Sequence, residues 1–191
     1  MQKHKLFLVI GPSGVGKGTA ISRIKESTLD LFFPVSYTTR EKRINEVDGQ
    51  TYYFISKDEF ENKIKQDDFL EYQVVHGTNY YGTDKRSIIN QLQSKSVLRE
   101  MDVAGVKDVL LNNKELPIVT IFITTDNWET LVKRINNRQQ ISEAELKSRK
   151  ESFEKEMKFM EKSDYIVYSK ENKIDELVTS IIDIIKTESN A

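Results

Sequence analysis

Leu6-Phe7-Leu8-Val9-Ile10-Gly11-Pro12-Ser13-Gly14-Val15-Gly16-Lys17-Gly18-Thr19 is the stretch from which the rest of the chain can be read. Five apolar residues without a polar break predict a strand buried on both faces of a parallel sheet. The glycine-rich turn that stops it predicts a helix beginning near Lys17. Such a turn points successive backbone N–H groups inward, its glycines permit positive φ, and the following helix offers its positive end to an anion. Lys17 would then reach the terminal phosphates as a point charge. Its position between strand and helix separates the motif from an ordinary glycine-rich turn. Gly11, Ser13, Gly14, Val15, Gly16, Lys17, Gly18 and Thr19 therefore read as a cradle for a nucleoside triphosphate. Gly18 occupies the position whose hydroxyl would normally coordinate Mg²⁺, and the first hydroxyl comes one residue later, at Thr19. Mg²⁺ is therefore expected to be held mainly by phosphate oxygens and water, with Thr19 or Asp102 assisting through water.

Similar apolar runs recur at Val97–Met101, Pro117–Ile123 and Tyr165–Val167, with helical stretches between them. The last stretch keeps Ile174, Leu177, Val178, Ile181, Ile182 and Ile185 on one helical face. Strands alternating with helices imply a three-layer α/β sandwich. From Ser36 to about Tyr81 the pattern changes. Thr51–Ile55 and Phe69–Val75 read as strands around a short helix opened by a capping box, Ser56-Lys57-Asp58-Glu59, so this segment is a small insertion. Asn127–Met160 is helical and highly charged, with Asp126 placed to cap one helix and Ser142-Glu143-Ala144-Glu145 forming a capping box for the next. Asn136–Ile141 is expected to be a mobile turn, and the charged Lys147–Lys162 stretch a solvated helix face.

Composition bounds the function. The chain has 191 residues, and 29 Lys plus Arg against 30 Asp plus Glu leave a net charge of -1, which disfavours a basic nucleic-acid binder. With 38% hydrophobic residues it can build a core of its own. Zero Cys excludes disulfides, thiolate metal sites and thiol redox chemistry, and only two His remain as imidazole ligands. Neither His4 nor His76 is assigned a role. No apolar run is long enough to cross a bilayer, so a soluble, cytoplasmic protein is expected.

Three further groups carry chemistry. Ser36-Tyr37-Thr38-Thr39-Arg40-Glu41-Lys42-Arg43, followed by Glu46-Val47-Asp48-Gly49 and Tyr52, offers two arginine forks among hydroxyls, suited to a phosphate. Alone it would equally suit a solvated basic turn paired with Glu41 and Glu46. Phe69-Leu70-Glu71-Tyr72 and Arg99-Glu100-Met101-Asp102 bring carboxylates to strands. Those at the end of a core strand lie where open α/β sheets bind ligands. Glu71 reads equally as a site residue or as the outward face of its strand. Arg149 falls on the stripe of Leu146, Phe153, Met157 and Met160, so it either faces a cleft or snorkels from a core edge.

The ordered set Gly11–Lys17, Val35-Ser36-Tyr37-Thr38-Thr39-Arg40, Glu46-Val47-Asp48-Gly49, Phe69-Leu70-Glu71-Tyr72, Tyr80-Tyr81-Gly82-Thr83 and Met101-Asp102 resembles guanylate kinases, from Leu6 to about Ser169. The resemblance implies a P-loop kinase core with a parallel sheet (residues 1–35, 84–125 and 161–191), a mixed α+β GMP-binding insertion (36–83) and a helical lid with its following helix (126–160). It implies transfer of the γ-phosphoryl of Mg-ATP to GMP. On this resemblance Ser36, Arg40, Arg43, Tyr52 and Tyr81 hold the GMP phosphate, and Glu71, Thr83 and Asp102 read guanine. Lys17, Arg40, Arg134, Arg138 and Arg149 serve catalysis. Guanine's N1 and N2 donors suit carboxylates and its O6 acceptor suits a hydroxyl. The chain departs from the family pattern at Gly18, which looks like the loop of adenylate kinases, and at an extra Thr78. It also departs at Lys42, Asn45 and Ala104, and at Arg99 inside a core strand.

The expected mechanism aligns donor and acceptor, neutralises charge and excludes water by closure of the insertion and lid, with no catalytic base. The expected partners are ATP and GMP, without nucleic acid, membrane or an obligatory protein. Two other readings are a guanylate-kinase-like module that binds a phosphopeptide without catalysis, and a related kinase for another phosphorylated small molecule. The first has no use for Lys17 and the lid arginines; the second has no use for Glu71, Thr83 and Asp102 together.

Overall fold

Strand β1 (Leu6–Ile10) is buried along its whole length because alternate side chains enter two different cores. In the computed structural model, which describes residues 4–75, 77–138 and 141–190, Phe7 and Val9 pack on one face of the sheet. They meet Ala20, Ile21 and Ile24 of helix α1 (Lys17–Lys25) and Leu177, Ile181 and Ile185 of α7 (Ile174–Asn190). Leu6, Leu8 and Ile10 pack on the other face, against Ile88 of α3 (Lys85–Gln91) and Val103, Val106 and Val109 of α4 (Val103–Asn112). The expected three layers are present. The central sheet is wholly parallel, in the order β2 (Leu31–Phe32), β7 (Ser96–Glu100), β1, β8 (Ile118–Thr124), β9 (Tyr165–Tyr168). The connection after β1 runs to one side, toward β2, and that after β8 to the other, toward β9, so the crevice beyond the carboxyl ends of these two adjacent strands is where such sheets bind ligands.

The insertion forms a second sheet in the order β4 (Tyr53–Phe54), β3 (Tyr37–Thr38), β6 (Asn79–Asp84), β5 (Phe69–Val75). Helix α2 (Lys57–Lys65) lies against it through Phe60, which stacks on Phe69 with centroids 4.3 Å apart. The capping box is complete: Ser56 Oγ accepts from the Glu59 N–H and Glu59 Oε2 accepts from the Ser56 N–H. A register irregularity between Phe69 and Glu71 re-aims the strand. Phe69 enters the insertion's aromatic cluster, Leu70 joins the core under α4, and Glu71 is left opposite Thr83.

Four local expectations are corrected. The strand expected over Thr51–Ile55 shrinks to Tyr53–Phe54. Asn127, not Asp126, caps α5 (Trp128–Arg138), its Oδ1 accepting from the Thr130 N–H at 2.9 Å. The box at α6 (Glu143–Met160) is half formed: Ser142 Oγ accepts from the Glu145 N–H, but the Glu145 carboxylate is taken by Arg149. Asn136–Arg138 continue α5 rather than turning, and residues 139 and 140 lie outside the described residues. Among the described residues no helix is long and apolar enough to cross a membrane.

Candidate active site

The glycine loop leaves β1 and enters α1 through backbone that only glycine holds without strain. Gly11 sits at φ 139°, and a Cβ there would lie 2.0 Å from the Ile123 carbonyl oxygen of β8. Gly16 caps α1 at φ 103°, and no side chain or first-turn acid occupies the positive helix end. Lys17 Nζ donates to the Gly11 and Pro12 carbonyls at 2.5 and 3.1 Å and stands 3.8 Å from Glu100 Oε1. Ser13, Gly14, Gly18 and Thr19 line the same cleft, about 690 Å³ in volume, with Ser22 and Glu100.

Glu100 was read only as a strand-end charge, yet it is the carboxylate in this cleft. Its Oε2 lies 3.7 Å from where a Gly18 Cβ would be. Asp102 is elsewhere. Its Oδ1 accepts from the Gly105 N–H at 2.7 Å, capping α4, and its Oδ2 accepts from Gln73 Nε2 at 2.6 Å. Asp102, expected to assist the metal through water, has one oxygen on the α4 cap and the other on Gln73 of the insertion, and does not line the glycine-loop cleft. A hydroxyl and one carboxylate beside the glycine loop, with no cluster of three or more His, Cys, Asp or Glu among the described residues, fit an ion that takes most of its ligands from phosphate and water.

Across the crevice, Arg40 is held from several sides. Its Nη2 donates to Glu46 Oε1 at 2.6 Å, its Nη1 to the Glu41 carbonyl at 2.6 Å and its Nε to Tyr81 Oη at 3.2 Å, with the cation over the rings of Tyr52 and Phe54. Glu46 also accepts from the Arg43 N–H, and these bonds hold its carboxyl below the usual range. Arg43 itself is exposed. The arginine–glutamate pairing weighed as a solvated turn is thus real, but it fixes Arg40 beside Tyr52 and Tyr81 rather than leaving it loose. Thr78 lies between β5 and β6, and its N–H faces the Val75 carbonyl; the strands after it stay in register, with Tyr81 opposite Gln73.

Glu71 and Thr83 face each other across β5 and β6, the Thr83 hydroxyl donating to Glu71 Oε1 at 2.6 Å. Burial pushes the Glu71 carboxyl up, opposed by that bond and by the Arg99 charge. Ser36 is buried and its Oγ accepts from Arg99 Nη2 at 2.6 Å.

The arginines of the helical segment separate in role. Arg149 Nη1 reaches Ser13 Oγ at 3.4 Å while Nε and Nη2 donate to Glu145, so it faces the loop as the cleft reading required. Arg134 is pinned instead: Nη1 donates to Ser169 Oγ at 2.9 Å and Nη2 to the Ser169 carbonyl at 2.8 Å. The side chain of Arg138 lies outside the described residues. Glu156 of α6 lines a small cavity with Pro12, Ser13 and Arg149, and burial raises its carboxyl against the pull of Lys17. Its place seven residues after Arg149 was the available signal, and it was missed.

The family profile described as Guanylate kinase matches residues 3–188. The chain belongs to the guanylate kinase family. It is 41% identical to a guanylate kinase of Clostridium tetani over 189 residues, 98% of this chain and 88% of the relative. It is 40% identical to one of Fusobacterium nucleatum, with 97% and 98% covered. The crystal structure of guanylate kinase from Anaplasma phagocytophilum superposes with a TM-score of 0.73 at 25% identity, covering 97% of this chain and 86% of that one. Family membership bears out the fold and the recognition drawn from the ordered motifs: the glycine loop lies at the end of β1, and the motif residues of Ser36–Thr83 meet on the insertion's sheet.

Proposed function

We propose that this chain transfers the γ-phosphoryl of Mg-ATP to GMP, giving ADP and GDP. The observation that carries the reading is the Glu71–Thr83 pair, a half-buried carboxylate bonded to a hydroxyl at 2.6 Å on the insertion's sheet. Guanine presents N1 and N2 donors beside an O6 acceptor, and this pair answers both. When Glu71 accepts the purine N–H groups, the Thr83 proton is free to turn from the carboxylate to O6. Adenine would leave the carboxylate unpaired, and a phosphopeptide would leave Lys17 and the glycine loop without a use.

The ATP phosphates lie on the loop N–H groups, and Lys17 exchanges the Gly11 and Pro12 carbonyls for phosphate oxygens. Arg40, Arg43, Tyr52, Tyr81 and Ser36 hold the acceptor phosphate. Arg149, already against Ser13, lies where it can neutralise charge on the transferring group, while Arg134 braces the loop from behind. Thr19 and Glu100 are the residues that would hold Mg²⁺. Bound with ATP, the ion supplies charge neutralisation across the phosphates. Because the transition state is loose, alignment and electrostatics suffice and no base is needed. Residues 36–83 and 126–160 act as units that close when both nucleotides are bound, which keeps water from the phosphoryl group.

The test is ADP release with GMP, dGMP, IMP and AMP as acceptors. GMP is expected to be the best, IMP weaker for lack of the N2 donor, and AMP inert. Turnover of AMP at the rate of GMP would overturn the reading.

A further inference from the structure

Arg99 is a charged residue in a place built for an apolar one. It belongs to β7, paired with Leu8 of β1, and Val97 two residues earlier lies in the core beneath α3 and α4. Its Nε is enclosed with no hydrogen-bond partner. An apolar side chain would avoid both that orphaned donor and the cost of sheltering a cation. What the guanidinium does reach is the segment joining the central sheet to the insertion: Nη2 donates to Ser36 Oγ at 2.6 Å and Nη1 to the Pro34 carbonyl at 3.4 Å.

We propose that Arg99 is a positioning residue for the acceptor nucleotide, acting through Ser36. The inference rests on the reading of Ser36 as a ligand of the GMP phosphate. A guanidinium only donates, so Ser36 Oγ must accept from it, and the hydroxyl hydrogen is left to point elsewhere. A phosphate oxygen only accepts. Arg99 thus fixes the one polarity of the Ser36 hydroxyl that an anionic acceptor can use, and ties the Pro34 carbonyl, two residues before it, to β7. Without Arg99 the hydroxyl can turn its hydrogen inward to a backbone carbonyl and present a lone pair to the anion.

The test is a double-substitution cycle with steady-state kinetics in GMP. Ser36→Ala and Arg99→Met are each expected to raise the KM for GMP by about tenfold, with kcat and the KM for ATP within about twofold of the parent. The double variant should be no worse than Ser36→Ala alone. Arg99→Gln, which keeps an N–H donor without the charge, is expected to stay within about threefold of the parent. Effects that multiply in the double variant, an unchanged KM in Arg99→Met, or an Arg99→Gln as impaired as Arg99→Met would each overturn the role. If melting curves show that Arg99→Met does not fold, Arg99→Lys joins Arg99→Gln as the test; both keep a donor, and a tenfold loss in either overturns it. An unchanged KM in Ser36→Ala would retire the acceptor-phosphate reading and this role together. A normal Ser36→Ala effect beside an unaffected Arg99→Met would retire only the role of Arg99.

Discussion

The two sides of the crevice are made from different materials. The side proposed to take the triphosphate is backbone: one strand end, one turn and one helix start, contiguous from Ile10 to Thr19, with Gly11 wedged against β8. The side proposed to take the acceptor is side chain: Arg40, Glu46, Tyr81, Glu71 and Thr83 come from separate strands and loops and meet only because β3, β5 and β6 pair. A backbone site binds what every triphosphate shares. A side-chain site can choose a base, and a single substitution can undo the choice.

The sharpest way to separate the two sides is Lys17→Ala. It should lower kcat by about 10³-fold while GMP binding, measured by calorimetry, stays within about threefold. Equal loss of GMP binding would show that the sides are not independent. Next in size, Glu71→Gln should raise the KM for GMP by about 10- to 100-fold and narrow the preference for GMP over IMP, measured with both acceptors.

The pH dependence tests the same carboxylate. Burial raises Glu71, so its protonated form, which cannot accept both purine donors, persists to higher pH than that of an exposed carboxyl. In kcat/KM for GMP the acid limb should therefore begin at a higher pH than a solvent-exposed glutamate would give, and Glu71→Gln should remove it. The sign for stability is the opposite. A carboxyl raised on folding favours the folded state at low pH, a contribution fully present below its unfolded pKa and lost as pH rises through the folded one.

The smallest expected effect belongs to Gly18→Ser. The added Cβ meets only Glu100 Oε2, at 3.7 Å, so the fold accepts it. The Mg²⁺ concentration for half-maximal rate should fall by about two- to fivefold with kcat little changed. No change in that titration would contradict a metal position beside residue 18.

The sequence was legible where structure is local. Strand, loop and helix cap lie next to one another at Leu6–Lys17, and the Ser56–Glu59 box spans a single turn. It was less legible where roles depend on pairing. β3 is two residues long and β6 carries Tyr80, Tyr81 and Gly82 without alternation, so the strand that sets Thr83 opposite Glu71 of β5 left no periodic trace. Competition also hides outcomes: Glu145 could complete a capping box or hold Arg149, and only the folded geometry shows that Arg149 takes it. Glu100 and Asp102, two residues apart, look equivalent in the chain. Yet one enters the glycine-loop cleft and the other caps α4, because strand ends and helix starts point side chains differently.

The most direct measurement is a crystal structure with GMP and a non-hydrolysable ATP analogue bound together. The base should lie against Glu71 and Thr83, the acceptor phosphate beside Arg40, Tyr81 and Ser36, and the triphosphate on the Gly11–Thr19 loop with its terminal phosphate facing the acceptor. GMP bound outside that pocket, or phosphates that do not face one another, would contradict the account.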